Sequence, residues 1–221
     1  MASSSPEKIA EDMLRIFNSN HKSASEIFVR GMAKGFMDIP EDLWLLTKDF
    51  LDTDHRWRNQ TDTIRLMSLV KRGITSENVR NLINIVIRRY LSGLSEEQSK
   101  ELLLKISGEK VGGLAFKAAF VNELIALFVS KIIPRFLVSA GITGVLSIGA
   151  SVSRSINSSY ELRKLNQTIY TELRSAGDLD LLYFLVEDDV GPFIEAINYQ
   201  VDHGVFDRKI FDRFLYGVKR V

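Results

Sequence analysis

The chain has no cysteine and only three histidines among its 221 residues. Without cysteine it can carry neither a disulfide framework nor a thiolate metal site. His21, His55 and His203 stand in polar turns, and none has a second ligand at metal-binding spacing. Asp52, Asp54 and His55 lie together in a polar loop, where an Asp-x-Asp-His run arises often by chance, and Glu187-Asp188-Asp189 reads as a solvated charge run at a helix end rather than a cation site. A phosphate-cradling glycine loop with its lysine is missing, and so is a Gly-x-Gly-x-x-Gly following a strand. Gly144 to Gly149 misses the nucleophile elbow by one residue and lacks the strand that motif requires. Ser68 with Lys71, and Ser107 with Lys110, match a Ser–Lys dyad in spacing only. The expectation is a non-enzyme with no catalytic residue, cofactor, metal or small-molecule substrate.

Two further absences bear on fold and compartment. No segment alternates apolar and polar residues with β-branched enrichment, so essentially no sheet is expected. The N-terminus, MASSSPEKIAEDML, lacks the basic-then-apolar pattern of a secretory signal. The protein is expected to be cytoplasmic when made, and membrane-associated or exported only by a signal-independent route.

What the sequence does contain is helix punctuation. Ser5 before Pro6 is an N-cap followed by proline at the first helical position, and Ile9, Met13, Ile16 and Phe17 then form one stripe. Ser23 to Glu26 and Ser95 to Gln98 are capping boxes. Asp38-Ile39-Pro40 opens a helix bearing Trp44 and Phe50. A helix from about Thr61 is expected to stop at Gly73, with Thr75 or Ser76 capping its successor. In that successor Val79, Leu82, Ile83, Val86 and Tyr90 follow the helical period closely. Ser158 to Arg174 reads as one polar amphipathic helix. Gly177-Asp178 and Gly191-Pro192 restart the chain, and Ile210, Phe211, Phe214, Leu215 and Val218 stripe a last helix. The predicted fold is an all-α, single compact bundle of about nine to eleven helices around a central apolar hairpin. Its one plausible seam is the glycine hinge Gly108, Gly112 and Gly113.

That hairpin, residues 111–153, is the most informative stretch. Its first half is apolar through Leu114, Phe116, Phe120, Leu124, Leu127, Phe128 and Ile132, but carries Lys117, Glu123 and Lys131. A spanning helix needs about 20 apolar residues, and a central Lys or Glu costs roughly 2.5–3.5 kcal/mol on insertion scales. After Pro134 and Arg135, the second half runs from Phe136 to Ser153 without a charge, through Leu137, Ile142, Val145 and Leu146. Ser139, Thr143 and Ser147 recur four apart, a spacing that lets another helix approach closely. The plainer reading is a buried helix pair at the centre of a soluble bundle. The sharper one is a conditional hairpin that enters a bilayer when its covering helices peel away.

The net charge of +1 conceals blocks. Residues 55–91 hold eight Lys and Arg against Asp62 and Glu77, with Arg72, Arg80, Arg88 and Arg89 as a candidate basic face. Residues 175–207 hold eight acidic residues and no Lys or Arg, with Asp178, Asp180, Glu187, Asp188 and Asp189 as a candidate partner-binding face. By default such blocks pair within the fold; otherwise they face separate partners. The basic block would attract an anionic membrane surface. Nucleic acid is set aside, because those arginines spread round two helices rather than along one reading face.

In layout the chain resembles the pore-forming domains of bacteriocin-type toxins, water-soluble helical bundles wrapping an apolar hairpin. It departs from them in the charges at Lys117, Glu123 and Lys131 and in the length of residues 154–221 that follow the hairpin. No site residue transfers on such a likeness. The function expected is that of a membrane-active helical protein, a bacterial effector or toxin whose hairpin is released into a bilayer. The alternative is a soluble binding module of immunity, adaptor or chaperone-like type, gripping a protein partner through charged helix faces.

Overall fold

A computed structural model describes residues 5–18, 56–107, 122, 125–126, 128–129, 148–203 and 208–218. Among them there is no strand, and the elements run in order as nine helices. These are α1 (Pro6–Asn18), α2 (Arg56–Arg72), α3 (Ser76–Ser92), α4 (Glu96–Ser107), α5 (Ile148–Leu165), α6 (Gln167–Ser175), a 3₁₀ helix (Leu179–Leu185), α7 (Glu187–His203) and α8 (Lys209–Gly217). The protein is an all-α multi-helix bundle, as its punctuation predicts. The elements expected at 23–51, the hairpin between 111 and 147 and the glycine hinge at 108–113 lie outside the described residues, apart from the positions near 125–129.

The chain divides into two compact units. One comprises Met1–His21, Ile83–Ile132 and Asp188–Val221, and the other Lys22–Leu82 and Ile133–Glu187. The division thus falls within α3 and at the first residue of α7.

Local chemistry sets several boundaries. The Lys8 amide donates to Ser5 Oγ at 3.3 Å, so α1 begins at Pro6. Ser95 and Gln98 close a reciprocal box: the Ser95 amide donates to Gln98 Oε1 at 2.9 Å, and the Gln98 amide to Ser95 Oγ at 3.1 Å. Thr75 rather than Ser76 caps α3, exchanging bonds with Asn78. Gly73 takes φ +87°, the left-handed turn that ends α2.

Three expectations are corrected. Helix α2 begins at Arg56, ahead of Thr61. The segment 158–174 is two helices, because the Asn166 side chain caps a new one by accepting from the Ile169 amide at 2.8 Å. Gly191-Pro192 does not restart the chain: α7 starts at Glu187 and carries Pro192 in its second turn. The missing N–H forfeits a single intrahelical bond close to the helix start.

In the first unit, α1 packs on α8, burying Ile9, Met13 and Ile16 against Ile210, Phe211, Phe214 and Val218. Gly217 permits this approach: a Cβ there would lie 2.3 Å from Leu14 Cδ1. Phe193 of α7 is the hub of the unit's aromatic core. It meets Tyr90 at 5.3 Å, Phe128 at 5.3 Å and Phe214 at 6.1 Å, all edge to face. In the second unit α5, α6 and the 3₁₀ helix pack on one another, and α2 packs on α5. Every residue of the 3₁₀ helix is buried, Asp180 included.

Candidate functional site

The second unit is built round a charged seam. Arg65 lies on the buried side of α2 with its side chain only 11% exposed. Its guanidinium uses three directions on three carboxylates. Nε donates to Asp178 Oδ1 at 2.7 Å, Nη1 to Asp62 Oδ1 at 2.8 Å and Nη2 to Asp180 Oδ1 at 2.5 Å. Asp62 stands one turn before Arg65 on the same helix, the spacing at which side chains meet. Asp178 and Asp180 come from the far end of the chain. Gly177 at φ +106° and Asp178 at φ +66° swing the backbone so that both carboxylates point at one guanidinium. Asp178 also receives Arg72 at 3.2 Å, and Arg174 of α6 lies 3.9 Å from Asp62.

Helix α5 supplies the other wall. Ser155, Ser158 and Ser159 are all buried and share one face by their i, i+3, i+4 spacing. Ser155 Oγ donates to the Leu181 carbonyl at 2.6 Å, and Ser159 Oγ to Asp180 Oδ2 at 2.7 Å. Ser158 Oγ donates to Glu187 Oε2 at 2.5 Å, while Arg154 donates to the other oxygen of Glu187 at 2.9 Å. The Asp180 side chain is wholly inaccessible. A carboxylate taken out of water this completely needs both a cation and hydrogen bonds to be tolerated, and it has them.

Burial alone would lower the pKa of Arg65. The hydrogen bond and charge of Asp180, joined by the bonds to Asp62 and Asp178, more than offset it and hold the group above the ordinary arginine value. A raised value keeps Arg65 cationic at every pH below the ordinary arginine range. In the first unit, burial pushes the Tyr90 hydroxyl above its usual range. That hydroxyl is inaccessible and has no hydrogen-bond partner among the described residues.

The residues singled out in the sequence are placed as follows. On the acidic face, Asp178, Asp180 and Glu187 are engaged within their own unit by the bonds just given. Asp189 is buried and Asp188 exposed. On the basic face, Arg72 holds Asp178, Arg80 holds Glu77 at 3.3 Å and Arg88 donates to Asn122 at 3.3 Å. Arg89 is exposed. The default expectation, that the charge blocks pair internally, is met at Arg65 and Arg72 with Asp178 and Asp180. Of the hairpin residues, Phe128 is described and fully buried, alongside Ile125 and Val129. Leu114, Phe116, Phe120, Leu124, Leu127, Ile132, Phe136, Leu137, Ile142, Val145 and Leu146 lie outside the described residues, as do Gly108, Gly112 and Gly113. His203 stacks on Tyr199 at 4.0 Å, its Nδ1 3.1 Å from the Tyr199 carbonyl. Among the described residues no three His, Asp or Glu side chains are grouped to hold a metal ion. The sequence reading missed Arg65, Arg154 and the three serines. The serine spacing was the signal available for them.

No protein-family profile, no curated protein and no solved structure matches the chain.

Proposed function

We propose that the chain is a membrane-active helical protein, of effector or toxin type, whose apolar stretch 111–153 is sheathed by helices and delivered to a bilayer when the sheath opens. The observation that carries this reading is α5. Its first residues, 148–153, are the end of the charge-free run, and the same helix continues into Arg154, Arg163 and Lys164. The apolar run is therefore continuous with a helix whose packing depends on buried hydroxyls and ion pairs as well as on Val152, Ile156 and Leu162. Polar contacts of that kind can be undone without dissolving an apolar core. Arg80, Arg88 and Arg89 lie at the surface, where an anionic bilayer would draw them. Among the described residues no helix is long and apolar enough to cross a membrane, so insertion would fall to 111–147. The test is dye leakage from anionic liposomes by the full chain between pH 7.5 and pH 4. Leakage with bilayer binding is expected; neither one at any pH in that range overturns the reading.

A second reading, a soluble non-enzymatic binding module, is favoured by what α7 and α8 leave in water. Asp188 and Asp202 are exposed on α7, with Val201 at 78% exposure, and Tyr216 on α8 stands at 88%. Capture of a stoichiometric basic protein that is lost at high salt, with no effect on liposomes, would move the conclusion there.

A further inference from the structure

Helix α5 ends in cations, and the helix that follows sets an aromatic ring beside them. Arg163 and Lys164 stand in the last turn of α5, and both are exposed. The Arg163 guanidinium lies 5.7 Å from the centre of the Tyr170 ring, and that of Arg174, one turn further along α6, lies 5.8 Å from the same centre. Lys164 lies 4.3 Å from the centre of the Tyr160 ring, which is itself exposed. Residues 160, 163 and 164 are neighbours at helical spacing. The junction of α5 and α6 thus presents three cations interleaved with two tyrosines.

Donors there outnumber acceptors. Arg163 Nε donates to Gln167 Oε1 at 3.3 Å, and its two Nη groups meet no acceptor among the described residues. Arg174 Nη1 donates to the Tyr170 hydroxyl, which serves as acceptor and keeps its own hydrogen to give. Asp62 lies 3.9 Å from Arg174 but is already bonded to Arg65 at 2.8 Å. Lys164 has a close carboxylate, Glu161 at 2.8 Å on its own helix, and an exposed pair of that kind contributes little. The hydrogens left over call for an anionic acceptor, and the planar fork of arginine matches the geometry of a phosphate. A tyrosine beside a cation is also the chemistry found where hydrocarbon gives way to headgroups. The choice of a bilayer over a soluble anion follows from the helix itself. The charge-free run of the sequence ends in the first residues of α5. The cations stand at its other end, about 27 Å away at 1.5 Å per residue.

We infer that the face formed by Tyr160, Arg163, Lys164, Tyr170 and Arg174 is a docking surface for the phosphate headgroups of an anionic bilayer. It holds α5 and α6 against the headgroups with the end of the apolar run one helix length away. Its purpose, to bring that run to a bilayer, rests on the membrane reading; the binding itself does not.

Co-sedimentation of the full chain with mixed phosphatidylglycerol–phosphatidylcholine vesicles, against vesicles of phosphatidylcholine alone, tests the surface. Binding about tenfold or more tighter to the anionic vesicles is expected. Arg163→Gln with Arg174→Gln is expected to weaken it by about tenfold or more, since each cation at such a surface counts for roughly fivefold. Lys8→Gln with Arg15→Gln removes the same charge from exposed positions on α1, in the first unit. Charges away from the docked face are screened, so that pair is expected to cost less than about threefold. Equal losses from the two pairs, or no preference for anionic vesicles, overturns the docking surface. If Arg174→Gln disturbs the fold through Asp62, Arg163→Gln with Lys164→Gln carries the test, both side chains being exposed. Inorganic phosphate is expected to displace the chain no more than chloride at the same ionic strength. Stronger displacement by phosphate assigns the face to a soluble anion and overturns the bilayer. Dye leakage from the same vesicles separates this inference from the membrane reading. Binding that the substitutions abolish, with no leakage caused by the parent chain, keeps the docking surface and overturns the membrane reading. Leakage and binding undiminished by the substitutions do the reverse.

Discussion

Phe193 and Arg65 each tie together residues remote in sequence, by opposite means. Phe193 gathers rings from α3, α8 and the segment round Phe128 with contacts that have no charge and little directional demand. Arg65 gathers three carboxylates through bonds whose lengths and angles must all be met at once. An apolar hub weakens gradually when trimmed. An ionic hub fails abruptly when one partner is removed, because the remaining charges stay buried.

The comparison is broken most forcefully at its two centres. Arg65→Ala leaves Asp180 uncompensated in a site closed to water and is expected to cost about 3–5 kcal/mol in urea unfolding at pH 7. Phe193→Ala is expected to cost a similar amount, about 3–5 kcal/mol, through lost burial and the cavity left behind. A second substitution tells them apart: adding Asp180→Asn to Arg65→Ala removes the charge left buried and is expected to recover part of the loss, whereas added to Phe193→Ala it only deepens the loss. Simple addition of the Asp180→Asn effect in both backgrounds would erase the distinction.

Smaller effects sharpen it. Gly217→Ala forces a methyl onto Leu14 and should destabilise by about 1–3 kcal/mol, read as a lowered urea midpoint with α1 and α8 the first to lose exchange protection. Tyr90→Phe removes a buried hydroxyl without a described partner and is expected to stabilise by about 1 kcal/mol. Its alkaline behaviour follows from the sign of the shift. Burial raises the Tyr90 pKa in the folded state, so its contribution is whole below the unfolded tyrosine value of about 10 and is lost as pH rises beyond it. Urea midpoints between pH 9 and pH 11 should therefore fall less steeply for Tyr90→Phe than for the parent chain.

The helices were legible because their signals are local. Ser5, Gly73, Thr75 and the Ser95–Gln98 box each satisfy backbone groups a few residues away, and the stripe from Val79 to Tyr90 needs only the helical period. Asn166 was passed over because an asparagine in a polar run carries no mark of capping until the break in the helix is seen. The seam was legible only as opposed charge blocks. Arg65 meets residues 113 and 115 positions away, and nothing in its neighbourhood distinguishes it from Arg72, which stays half in water. Burial chose between them, and burial is decided by the whole packing of α2 against α5 and the 3₁₀ helix. The serines were readable in principle, since their spacing describes a face, but a serine face looks like a solvated one until carboxylates are found opposite.

Asp178 shows how the seam would respond to random mutation. Its left-handed backbone, φ +66° directly after Gly177, suits aspartate, asparagine and glycine and few other residues. Alanine, the usual probe for a side chain, would add about 1–2 kcal/mol of backbone penalty to the loss of charge and overstate what the carboxylate does. Asparagine deletes the charge and keeps the bend. A library at this position should therefore rank its survivors by backbone tolerance first and by charge second, the reverse of the order expected two residues on at Asp180.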